Sequence, residues 1–225
     1  MWPDMAGCWI REEQKNPVAL ERYLIRLSFA EEKGLGESGM KRIRFFFQKF
    51  LLGKSREQIE LDALIKRGLT IGKNSHINAG FSIDGAWPWL ISIGDNVTIS
   101  THVTILAHDA STNLVGCGTK LGLVTIGNNV FIGTRVTIVC NVRIGDNVIV
   151  GANSLVTQDL PEDGVYAGVP AKRICSIEEY REKHLRNRQN CPDLSTIRPW
   201  NQWQNASDEE KGQMVSKLKN GIGYI

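Results

Sequence analysis

The chain lacks most of the features that announce a function class. No stretch of its 225 residues approaches the ~18 apolar residues that a transmembrane helix needs. The N-terminus, MWPDMAGCWIREEQKNP, carries charges where a signal peptide has an apolar region. Cysteine is sparse and odd in number: Cys8, Cys117, Cys140, Cys175 and Cys191, with no CxxC pair. Neither a disulfide framework nor a zinc cluster is expected, and a reducing, cytoplasmic setting is. A net charge of +3 is too small for a chain that binds nucleic acid through its overall charge. Proline is scarce as well, 7 against 22 glycines. The glycines cluster, with 13 of them in residues 71–174. Clustering of that kind calls for a search for repeats before anything else.

From Ile126 the sequence divides into sixes: IGNNVF, IGTRVT, IVCNVR, IGDNVI, VGANSL, VTQDLP. All six open on an aliphatic residue. With aliphatic residues at about one in five, chance gives this on the order of once in ten thousand registers, so the frame is a property of the fold. Gly stands second in four of them, and Val or Ser stands fifth in the first five. The same frame runs from Ile93 (IGDNVT, ISTHVT, ILAHDA) and from Ile71 (IGKNSH, INAGFS).

Side chains alternate along a strand, so the fifth residue and the next first residue share the inner face. The residues between them form a corner, where Gly or Asn tolerates the required backbone angles. Three corners close a triangular coil of eighteen residues, and stacked coils bury an aliphatic prism. With coils about 4.8 Å apart, residues 71–160 make roughly five. The expected fold is an all-β core, a parallel β-helix of hexapeptide repeats, with helical attachments at both ends. The division is 1–70, 71–175 and 176–225. A sandwich with frequent turns would not repeat one six-residue frame.

The frame breaks twice, and breaks in a solenoid map to loops that often carry function. Ile83 to Ile93 holds DGAWPWLIS. Ile105 to Ile126 holds an irregular loop that leaves near His108 and returns near Thr125. In the flanks, residues 41–56 (KRIRFFFQKFLLGKSR) carry six basic and no acidic side chains. They read as a helix capping the prism, or as an amphipathic helix on an anionic membrane surface anchored by Phe45, Phe46, Phe47 and Phe50. Near the C-terminus, Ser207 and Glu210 are spaced as a capping box.

The run TIGNNVFIGTRVTIVCNVRIGDNVIVGANSLVTQDLPEDGVYAGVPAKRI, preceded by VTILAHD and the loop, resembles the left-handed β-helix acyltransferases of the hexapeptide-repeat class. It is similar in particular to galactoside, maltose and polysaccharide-cluster O-acetyltransferases. The resemblance covers residues 71–175. It implies a homotrimer with acetyl-CoA and a sugar or glycan acceptor bound between neighbouring prisms, and no metal.

By the same resemblance His108 matches the catalytic histidine. A neutral imidazole can take the proton of a sugar hydroxyl as it attacks a thioester. Asp109 could orient it. On the cofactor side the resemblance points to Phe131, Gly133, Thr134, Gly151, Ala152, Thr157, Lys172 and Arg173. The two glycines would permit close backbone approach, and the two basic residues suit the 3′-phosphate. On the acceptor side the chain departs from the family: Gly80 stands where the sugar enzymes carry an Asn, with Asn78 two residues before it. The tryptophans of the insert, Trp87 first, are platforms for a sugar ring or part of a subunit interface. Antibiotic-inactivating or amino-sugar N-acetyltransferases and a non-catalytic scaffold are the alternatives. A zinc lyase of the same fold would need three ligands; His102 and His108 fall on different faces.

Overall fold

In a computed structural model the described residues are 55–219 and 221–225. Residues 41–54, which hold most of the basic Phe-rich segment, lie outside them. Among the described residues, 55–67 and those from Gly68 onward fall in two units. In the first, α1 (Arg56–Lys66) starts at a capping box: the Ser55 hydroxyl accepts from the Gln58 N–H, and the Gln58 side chain accepts from the Ser55 N–H.

The second unit is built on the six-residue frame. The inward residues of each six stack in columns, so the short strands between corners fall into three parallel sheets. One holds β1 (Thr70–Ile71), β4 (Ile91–Ile93), β9 (Val124–Ile126) and β12 (Val142–Ile144). The second holds β2 (His76–Ile77), β5 (Thr98–Ile99), β10 (Phe131–Ile132), β13 (Val148–Val150), β15 (Gly164–Ala167) and the antiparallel β16 (Lys172–Ser176). The third holds β3 (Ser82–Ile83), β6 (Thr104–Ile105), β11 (Thr137–Ile138) and β14 (Leu155–Val156). Ile71, Ile93, Ile126 and Ile144 share one register column, extended by a bridge from Ile144 to Leu160 where a fifth coil opens. The expected parallel β-helix is therefore the observed fold.

The interior is the expected aliphatic prism. Val97, Val103, Ile105, Ile132, Val136, Ile138, Ile144, Val148 and Val150 are fully buried. Burying each such side chain contributes about 1.5–3 kcal/mol, which a two-residue strand could not gain alone.

The corners differ from expectation in one respect. The left-handed backbone angle is carried by the fourth residue of the six, at Asn74, Asn96, Asn129, Asn141, Asn147 and Asn153, not by the glycine in second place. Asn is the side-chain-bearing residue that best tolerates that region. The second-place glycines answer a stacking constraint. A Cβ on Gly133 would sit 2.5 Å from the Ala152 nitrogen one coil away, and on Gly94 2.6 Å from the Gly127 oxygen. The close approach at Gly133 is thus to the protein's own next coil.

Along one edge the corner amides also bond to each other. Asn74 donates to Asn96 (3.3 Å), Asn96 to Asn129 (3.1 Å), Asn129 to Asn147 (3.1 Å) and Asn147 to the Asp163 carboxylate (2.9 Å).

After β16 the chain enters α2 (Ile177–Asn190), capped by Ser176 and Glu179, and later α3 (Asp208–Leu218), capped by Ser207 and Glu210 as anticipated. Arg198 forks onto Glu210 at 2.9 and 2.8 Å, which holds that carboxyl down at about 2. Among the described residues no helix is long and apolar enough to cross a membrane.

Candidate active site

Both breaks in the frame open at the same edge of the prism, the corner that follows the third sheet. Ile83 pairs with Ile105, so Asp84 and Leu106 leave neighbouring coils side by side; the Asp84 N–H donates to the Ile105 carbonyl at 2.9 Å. The first break becomes an insert closed by a 3-10 turn over Pro88–Leu90. The second becomes an arm. Its stem pairs β7 (His108–Asp109) with β8 (Lys120–Leu121), antiparallel, and a 3-10 turn over Ala110–Val115 forms its tip.

These two excursions bring three side chains together. The Asp84 carboxylate is buried, with 1% of its side chain exposed, and one oxygen meets Nδ1 of His108. That oxygen also accepts the Ala107 N–H at 2.9 Å. The other accepts from Ala86 (3.0 Å) and Trp87 (3.4 Å). Burial pushes the Asp84 carboxyl up, but the His108 bond and the two backbone donors at Ala107 and Ala86 outweigh it, so its pKa lies below the ordinary value. The indole of Trp87 lies against the imidazole, with ring centroids 4.7 Å apart and planes at 59°. An ionised Asp84 takes Nδ1 as a donor, which in the neutral ring leaves the lone pair on Nε2, on a side chain 32% exposed. A histidine held in this way can take up a proton at Nε2.

Asp109 does not orient His108. Its carboxylate accepts from the Ser111 N–H and hydroxyl (3.0 and 2.6 Å) and pairs with Lys120 at 3.1 Å. Those contacts, Ser111 first, hold it at about 2. Its structural task is to start the 3-10 turn and brace the arm. The orienting carboxylate is Asp84, which the sequence reading passed over. A signal was present: Asp stands second in its six, directly after Ile83, whereas the equivalent places in the coils above hold Leu106, Val139 and Thr157.

The residues assigned to the cofactor fall at two places. Gly133, Thr134, Gly151 and Ala152 gather at the corner after the second sheet, where the Thr134 hydroxyl donates to the Thr101 carbonyl at 2.7 Å. Phe131 is exposed on the outer face of that sheet, between Thr98 and Ile149. Thr157 follows β14 and shares the His108 edge. Lys172 and Arg173 lie on β16, with Arg173 reaching the Asp163 carbonyl at 3.4 Å. A single prism therefore does not bring the Gly133–Ala152 corner to His108, because they occupy different edges. Asn78 and Gly80 also lie at the corner after the second sheet. Gly80 takes a left-handed angle, and a Cβ there would be 3.1 Å from Nε2 of His102. Among the described residues no group of three His, Cys, Asp or Glu side chains is placed to hold a metal ion.

Known proteins carry the same repeat. Residues 124–158 match the family described as bacterial transferase hexapeptide (six repeats). Protein CapG of Staphylococcus aureus is 37% identical over 159 residues, covering 62% of this chain and 84% of CapG. The chain belongs to the hexapeptide-repeat acyltransferase family. The β-helix of this family is left-handed. Galactoside O-acetyltransferase of Escherichia coli strain K12 is 41% identical over 120 residues, 50% of this chain; the chain spans 59% of that relative's length. A maltose O-acetyltransferase from Clostridium difficile 630 shares 29% identity over 55% of this chain and 76% of its own, with a TM-score of 0.44.

Proposed function

We propose that this hexapeptide-repeat protein is an acetyl-CoA-dependent O-acetyltransferase acting on a hydroxyl of a sugar or polysaccharide precursor, with His108 as general base. The observation that carries the reading is the Asp84–His108 pair, a base whose tautomer is fixed by a buried carboxylate. The similarity to galactoside O-acetyltransferase supports the class of acceptor.

In this reading the acceptor oxygen attacks the thioester carbonyl while His108 Nε2 takes its proton. The tetrahedral intermediate collapses with loss of the C–S bond, and the imidazolium returns the proton to the leaving sulfur. Asp84 stays ionised and favours the imidazolium formed on the way. No covalent intermediate on the protein is needed.

The donor would lie along Gly133, Thr134, Gly151 and Ala152, with Phe131 and Thr157 further along and Lys172 and Arg173 at its phosphates. Asn78, Gly80, Trp87 and Asp109 would face the acceptor. Because the Gly133–Ala152 corner and His108 occupy different edges, a complete site needs a second prism. That requirement supports a homotrimer with sites between subunits. The prism of 71–175 would carry the chemistry, and 1–70 and 176–225 are its attachments. Scattered cysteines, with Cys117, Cys140, Cys175 and Cys191 free among the described residues, favour a reducing, cytoplasmic setting.

The test is a screen of acceptor sugars and oligosaccharides with acetyl-CoA, read as thiol release and as the mass gain of an acetyl group. Thiol release with an acceptor, lost in His108→Ala, is the expected result. Absence of acetyl-CoA binding by calorimetry overturns the reading.

A further inference from the structure

A histidine ring tethered at its Cβ and held by one hydrogen bond can still tilt about the line between those two points. The Asp84 carboxylate fixes His108 at Nδ1, so it sets the tautomer but not the swing of Nε2. A second contact away from that axis is needed to stop the tilt. Trp87 makes it, since its indole lies against the imidazole at 4.7 Å in a tilted arrangement. Aromatic pairs at such separations attract beyond simple burial.

Trp87 is itself held from both sides. Upstream, the same Asp84 carboxylate accepts from the N–H groups of Ala86 and Trp87. Downstream, the Trp87 carbonyl accepts the Leu90 N–H at 3.1 Å, which closes the 3-10 turn begun by the buried Pro88. The far side of that turn is seated on Gly68, where an added Cβ would fall 2.8 Å from Cβ of Trp89. Trp89, two residues on, is 55% exposed, whereas Trp87 is half-buried on the histidine. The two tryptophans thus have different surroundings although they share one insert.

We infer that Trp87 is a positioning residue for His108: its indole blocks tilting of the imidazole about the line from its Cβ to the Asp84 bond and so fixes the direction of Nε2. This rests on the reading of His108 as general base. One carboxylate then does two jobs, binding the base through one oxygen and the backbone of the residue that steadies it through the other. Trp87 need not touch either substrate for this. Its loss is felt in the chemical step, because a misdirected base lowers turnover without weakening donor binding.

The experiment compares full-length Trp87→Ala, Trp87→Phe and His108→Ala with the unaltered protein, using acetyl-CoA and the acceptor found by screening. Trp87→Ala should lower kcat by about tenfold or more, with KM for acetyl-CoA changed by less than about twofold. Trp87→Phe, which keeps an aromatic face, should recover most of the kcat. In the free protein, NMR should show the His108 ring proton, identified by its absence in His108→Ala, displaced by the indole ring current. That displacement should vanish in Trp87→Ala.

Unchanged kcat, a loss confined to acceptor KM, no rescue by Phe, or an unmoved His108 resonance would each overturn the inference. Full turnover in His108→Ala instead overturns the functional reading beneath it. Loss in His108→Ala with intact kcat in Trp87→Ala leaves that reading standing and removes only the role of Trp87.

Discussion

Asp84 and His108, 24 residues apart in the chain, meet through a carboxylate oxygen and Nδ1 at the mouths of two successive breaks in the repeat. The pairing makes the two residues unequal under mutation. His108→Ala should lower turnover by roughly 10²–10⁴ while acetyl-CoA still binds. Steady-state kinetics beside calorimetry would show this, and near-normal turnover would remove His108 from the chemistry.

Asp84→Asn should keep the fold and lower turnover by about 10²-fold or more, because an amide can present its N–H to Nδ1 and so favour the wrong tautomer. A loss of less than about threefold in kcat would show that Asp84 does not set the state of the base.

The same carboxyl should leave a mark on stability against pH. Its folded pKa lies below the ordinary 3.8. Between the two values the unfolded chain binds the proton and the folded one does not. The stabilisation from the charged form is therefore fully present above about 3.8 and disappears as pH falls through the lower folded value. Thermal melting of the unaltered protein and of Asp84→Asn should differ by a constant amount near neutrality, and by less and less below pH about 4. A difference that grows on acidification would reverse the assignment of the charged state.

Two glycines should respond in opposite directions. Gly133→Ala forces a Cβ to within 2.5 Å of the Ala152 nitrogen and should cost about 1–3 kcal/mol as the coils are pushed apart. Gly212→Ala, within α3 and with nothing near its missing Cβ, should gain about 0.5–1 kcal/mol. Denaturant unfolding of the pair would settle both signs.

In the prism interior, Ile132→Ala removes a side chain with no exposure at all. The cavity cannot collapse between fixed coils, so the cost should be about 2–5 kcal/mol. The same assay measures it.

The prism was legible because its rule is local: an aliphatic residue every six positions points inward whatever the neighbouring coil contains. The capping box at Ser207 and Glu210 was legible for the same reason. Two things were not. The roles of Gly and Asn at a corner depend on the next coil, since only the stacked backbone shows that Gly133 yields space to Ala152 while Asn129 carries the left-handed angle. Asp84 was hidden because its partner lies one coil away, and the length of a coil is altered by whatever insert it carries. Asp109, adjacent to His108 in sequence, was the nearer choice and points instead to Ser111 and Lys120.

The column of corner amides has a consequence for how such a chain can vary. Its steps join residues 22, 33, 18 and 16 positions apart, yet each is the same single rung in space. The rung works as an alignment key: however long an excursion becomes, the coil that follows is returned to the same seat. Excursions at the His108 edge can therefore be lengthened, shortened or exchanged while the framework beneath stays in register. A change of acceptor would then require new loops and no new scaffold.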